Sequence, residues 1–165
     1  LSSDSAAALT ALRDRRCDLC VVGSAPDDAA IEASVVARDQ VILVGPPGSP
    51  RQIESLDGLS LVLREKGSGT RKAVAHLLPD DAAIEVGSTE ATRRCVLEGL
   101  GCTFISRRAV AADLEAGTLR RIEFPGTPVP RAFHVARQRG ATPTAAARAL
   151  WATLLASGPQ DSALH

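Results

Sequence analysis

Apolar positions recur at helical spacing in the segment 5–16, where Ala8, Leu9 and Leu12 share a face and Ser5 stands ready as N-cap. Cys17 to Val22 reads as a strand, stopped by Gly23-Ser24-Ala25-Pro26. Val35 to Val44, interrupted by Arg38-Asp39-Gln40, reads as one long strand or two short ones, and the Gly-Pro-Pro-Gly-Ser-Pro run at 45–50 breaks the chain. Leu59 to Leu63 has the pattern of a buried strand. A helix over 70–78 then turns Val74, Leu77 and Leu78 inward. A short strand at 84–86 precedes a helix capped by Ser88 and stopped at Gly99. A strand at 102–105 leads to a helix capped by Ser106 and ended by Gly117. Strands at 118–124 and 132–137 follow. The last helix opens with Thr142 as cap and Pro143 in its first turn, with Ala147, Leu150, Trp151 and Leu154 inward. Strands alternating with helices predict an α/β fold with largely parallel sheets.

A length of 165 residues fits one compact domain, or one domain with two lobes. Nineteen basic and nineteen acidic side chains cancel, which argues against DNA or RNA binding by this chain alone. The aromatic residues are Phe104, Phe124, Phe133 and Trp151, too few for a base-stacking surface. No apolar run approaches the roughly 18 residues of a membrane span, and no signal segment opens the chain. The absence of Met leads to the expectation that the sequence is trimmed.

Four cysteines include a Cys17-x-x-Cys20 pair. It follows a helix rather than opening one, so the dipole is of the wrong sign to activate a thiol. Cys95 and Cys102 lack the spacing of a second zinc-ligand pair. Free thiols in a reducing compartment, with no metal and no cofactor, are expected. His76 on a helix and His134 within a strand read as structural. No nucleophile–His–acid set is apparent, so no enzyme is expected.

The segment Arg64-Glu65-Lys66-Gly67-Ser68-Gly69-Thr70-Arg71 follows a strand and opens a helix. Its glycines allow close backbone approach, Ser68 and Thr70 offer hydroxyls, and free N–H groups favour negative charge. Neither the Walker A pattern nor the dinucleotide fingerprint is met. On spacing alone, a capped turn and a small-anion site are both open.

This loop, with "GSTEATRRCVLEGLGCTFISRRAV" at 87–110, "AGTLRRIEF" at 116–124 and a final "TPTAAARALWATLL" helix, resembles the effector-binding domain of LysR-type transcriptional regulators. The opening "LSSDSAAALTALRDRRCDLCVVG" fits the same pattern. The resemblance implies a type 2 periplasmic-binding-protein fold: two Rossmann-like lobes joined by two crossing strands, N-terminally truncated because the first strand and helix of lobe I would precede Leu1. Lobe I would hold about 1–38 and 123–165, and lobe II about 39–122.

The resemblance further implies that a small anionic metabolite would bind between the lobes. Its contacts would come from Ser5, Gly23 and Ser24 in lobe I, and from Gly67, Ser68, Gly69, Thr70, Ser106 and Arg107 in lobe II. For Ser5, Ser88 and Ser106 plain N-capping is the competing role. The family relation also implies a cytoplasmic regulator that forms a homodimer or tetramer, with Arg13, Arg15 and Arg16 at a contact helix. DNA would be bound only through a helix-turn-helix domain absent from this chain. The loop also resembles that of phosphate-binding receptors, with Lys66 where those carry an acid. The alternative function is therefore an extracytoplasmic solute-binding protein for a small oxyanion or carboxylate.

Overall fold

The computed structural model describes residues 4–79 and 84–158. In chain order its elements begin with α1 (Ser5–Arg13), β1 (Cys20–Val22), β2 (Ile31–Gly45), β3 (Val62–Arg64), α2 (Gly69–Ala73), β4 (Ile84–Val86) and α3 (Thr89–Leu97). They continue with β5 (Thr103–Ser106), α4 (Ala111–Ala116), β6 (Arg120–Ile122), β7 (Val129–Gln138) and α5 (Ala145–Ala156). Strands alternate with helices, as the periodicity predicts. The interrupted 35–44 segment lies within a single strand of 15 residues, Ile31–Gly45.

The chain forms two units, Leu1–Asp39 with Arg131–His165, and Gln40–Pro130. It passes from one to the other along β2 and returns along β7. The return lies at Arg131, later than the sequence placed it at 123. Residues 123–130 stay in the second unit because Glu123 bonds back to that unit's chain (Ile53 N–H to Glu123 O, 3.0 Å) and Phe124 and Val129 pack on its core.

In the first unit β7 lies between β1 and β2. Its ladder with β1 is antiparallel, Val22 opposite His134. Leu12 of α1 packs with Ile31 and Ala136 on one face. On α5, Trp151 is buried and its ring carries the Arg137 guanidinium 4.2 Å from the centroid. Leu150, expected to face inward, is 52% exposed, because Ala147 and Trp151 supply the helix's buried positions.

In the second unit β2 pairs antiparallel with both β5 and β6. Val41, Leu43, Phe104, Ile122 and Val74 build the larger core cluster, while Ile42, Val44, Val96, Ile105 and Val110 build another. The alternation 41/43 against 42/44 sends successive side chains to opposite faces, which is what a strand buried on both sides requires. Among the described residues β3 pairs parallel with β4, and single parallel bridges join Gln52 with Glu123 and Leu61 with Cys102. The expectation of largely parallel sheets is therefore corrected. Long β2 and β7 run back against their neighbours, and such antiparallel ladders are not signalled by helix–strand alternation. Close approach of β3 to β5 depends on Gly101, where φ is +149° and a Cβ would lie 2.2 Å from Ser60 O. Arg93 of α3 clamps Asp113 of α4 with two hydrogen bonds of 2.6 and 2.7 Å.

Candidate functional site

Within the first unit, Ser5 does not cap α1 as the sequence suggested. Asp4 is the cap, its Oδ1 accepting the Ala7 N–H at 2.7 Å. Asp and Ser are both good caps, and the shorter reach to the third N–H belongs here to Asp4. Ser5 is thereby left with another role: its Oγ accepts the N–H of Gly23 at 3.2 Å. The start of α1 and the end of β1 are joined by this bond, and Gly23 is buried beside half-buried Ser24. Three sequence-predicted residues thus meet at one end of the unit.

In the second unit, Ser68 caps α2, accepting the Thr70 N–H at 3.2 Å, and Ser68 and Thr70 are both buried. The helix expected over 70–78 is shorter: α2 ends at Ala73, and a 3-10 turn, Ala75–Leu77, completes it before Pro79. Gly69 opens α2 with helical backbone. The cations flanking the loop are largely engaged. Arg64 Nε donates to Glu65 at 2.7 Å and Nη1 to Thr89 Oγ1 at 2.6 Å. Arg71 Nη1 donates to Arg64 O at 2.9 Å and also to Glu85. The Arg64 guanidinium holds the Glu65 carboxyl below its usual range. Lys66 is exposed. The loop is thus hydrogen-bonded on itself and to its neighbours rather than a set of idle charges.

α2 packs on β5, the strand that ends at Ser106. Ser106 is 6% exposed and lies opposite Val41 in the ladder. It makes no side-chain cap to the turn that follows, so the N-cap alternative for Ser106 is not realised. Arg107 begins that 3-10 turn, Arg107–Val110, and is half-buried. Ser88 is a plain cap, accepting the Ala91 N–H at 3.0 Å. Two of the three arginines expected at a contact helix have local partners: Arg13, the last residue of α1, donates to Asp28 at 2.9 Å, and Arg16 beyond it donates to Asp14 at 3.3 Å.

A cavity of about 800 Å³ lies elsewhere in the first unit. Ala7, Ala8 and Ala11 of α1, Cys20 and Val21 of β1, and Leu150 and Leu154 of α5 line it, and none of the predicted site residues does. All four cysteines are free. Burial, with Cys17 adding to it, pushes the Cys20 thiol up to about 11, the direction of an inert thiol. Among the described residues no group of three or more His, Cys, Asp or Glu is placed to hold a metal ion, and no helix is long and apolar enough to cross a membrane. Sequence reasoning read His134 as structural, without marking the surroundings of its ring. Its Nδ1 is buried without a hydrogen-bond partner, on the residue opposite Val22 and one step from Gly23. A His inside an apolar strand carries no local signal of that.

The model of the LysR substrate binding domain family matches residues 1–159. The chain belongs to that family. One curated relative, the phosphonates import ATP-binding protein PhnC of Anaeromyxobacter dehalogenans, is 39% identical over 89% of this chain and 32% of its own length. Another, the HTH-type transcriptional regulator CbbR of Rhizobium meliloti, is 28% identical over 89% of this chain and 51% of its own. The chain thus spans a third to a half of these relatives. Among solved structures, the Synechocystis PCC6803 CcmR regulatory domain in complex with 2-PG superposes with a TM-score of 0.83 at 20% identity, over 96% of this chain and 82% of that one. The likeness shows the fold, of the two-lobed periplasmic-binding-protein type that the sequence implied.

Proposed function

We propose that this LysR-family chain is the effector-sensing part of a bacterial transcription regulator, not an enzyme, and that its effector is a small anionic metabolite. The carrying observation is the match of the family's substrate-binding model over residues 1–159. The residues proposed for effector contact are Ser5, Gly23, Ser24, Gly67, Ser68, Gly69, Thr70, Ser106 and Arg107. Support comes from their local geometry. Ser5 and Gly23 are held together by a hydrogen bond, and Ser68 and Thr70 present buried hydroxyls on a braced loop. With Arg64 and Arg71 already paired, recognition rests on hydroxyl and N–H groups more than on net positive charge. That favours a compact anion with several acceptor oxygens. DNA contact, self-association and a cytoplasmic location belong to this same reading of the longer protein.

A second reading has one observation behind it, the PhnC relative. On it the same fold serves a phosphonate importer rather than a promoter. A thermal-shift panel of phosphonates, phosphate esters and small carboxylates tests both. Binding of a metabolite supports the sensing role, and Thr70→Ala then weakens it by about three- to tenfold through one lost hydrogen bond. Selective binding of alkylphosphonates supports the importer. No binding across the panel removes both.

A further inference from the structure

The two strands by which the chain passes between its units carry a buried ion pair at the point of passage. Asp39 is the last residue of the first unit before β2 leaves it, and Arg131 is the first after β7 returns. Arg131 donates to Asp39 Oδ2 from Nε at 2.8 Å, and Nη2 lies 2.8 Å from the same oxygen. The side chains are 7% and 0% exposed. The guanidinium also lies 4.6 Å from the centroid of the Phe133 ring on its own strand. Asp39 Oδ1 is buried and has no partner.

Stability does not account for such a pair. Apolar side chains of similar size in place of a buried ion pair are often neutral or stabilising, and the best-attested use of buried charges is to specify a register. Register needs specifying here. Between Ile31 and Asp39 no residue of β2 is buried, and β7 from Val129 to His134 has none either. These stretches lack the buried face that Val41–Val44 give the rest of β2 and Val135 and Ala136 give the rest of β7, and a slip of one residue moves every side chain to the other face. What depends on the register is the proposed site. Two residues beyond Asp39, Val41 faces Ser106; three beyond Arg131, His134 faces Val22, next to Gly23.

We propose that Asp39 and Arg131 are positioning residues for effector recognition. They lock β2 against β7 in one register, and with it the pairing of His134 with Val22, next to Gly23, inside the first unit. The proposal rests on the effector-site reading above, but its test uses no effector, so the two fail separately.

The experiment is amide hydrogen exchange on the whole chain, comparing wild type with the double variant Asp39→Leu, Arg131→Met. The melting temperature should stay level or rise, while amides at 34–38 and 131–134 exchange at least about tenfold faster and those at 41–44 keep their protection. Unchanged exchange everywhere overturns the proposal, because the pair then only fills space. A lowered melting temperature with uniformly faster exchange also overturns it, because the pair then only stabilises. The single variant Asp39→Leu, which leaves the Arg131 charge buried and unpaired, should melt below both. If it melts with wild type, the charge is not buried as described and the proposal falls.

Discussion

Single positions carry some of the sharpest consequences of this structure. Arg15 has a positive φ of 56°, and it stands at the end of α1 where Arg16 N–H reaches Ala11 O at 2.8 Å and its own N–H reaches Leu12 O at 3.1 Å. That is the Schellman arrangement, whose left-handed residue is ordinarily glycine. Arg15→Gly should therefore raise stability by about 0.5–1 kcal/mol, read as a higher urea midpoint by Trp151 fluorescence. Cys20 makes a chemical prediction. A thiol at about 11 is almost wholly protonated at neutral pH. Iodoacetamide should thus modify Cys20 roughly a hundredfold more slowly than a free cysteine, measured by peptide mass spectrometry of the folded chain.

Elements show what was legible in the chain and what was not. The helix with Ser88 as cap and its stop at Gly99 follow from local side chains, and the structure has both. Ser5 and Asp4 compete as adjacent caps, and no local rule says which wins. The decision came from Gly23, distant in sequence, which takes the Ser5 hydroxyl. Likewise β1 starts only at Cys20, where an apolar run from 17 suggested more, and Asp18 turns instead to accept from Thr144 Oγ1 at 2.7 Å, the residue that caps α5. Thr142 was the expected cap; Thr144 takes the place, accepting from Ala147 N–H. The candidate loop was legible because its glycines and hydroxyls are contiguous. The pairing of its arginines with Glu65 and Glu85 was not, since Glu85 arrives on another strand.

At this scale acid sensitivity has a definite sign. Hydrogen bonding from Arg93 holds the Asp113 carboxyl below its ordinary value, so it contributes stability that is complete above about pH 4, where the unfolded chain titrates. That contribution falls away as pH drops through the lowered folded value. Asp113→Asn should be less stable at pH 7 and show a flatter decline between pH 5 and 2 in urea titrations followed by circular dichroism.

For the whole molecule, each of the two units carries some of the proposed contacts, and the first also carries a cavity. The cavity of about 800 Å³ in the first unit is mainly apolar and is lined by none of those contact residues. Cavity size and polar chemistry therefore point to different places, and a direct map of ligand contact separates them. That map is a ¹⁵N-amide chemical-shift titration of the chain with the anion selected by thermal shift. The account predicts that Gly23, Ser24, Ser68, Gly69, Thr70, Ser106 and Arg107 move together along one binding curve. Shifts confined to Ala7, Ala8, Ala11, Val21 and Leu154 around the apolar cavity, with the seven unmoved, would contradict it.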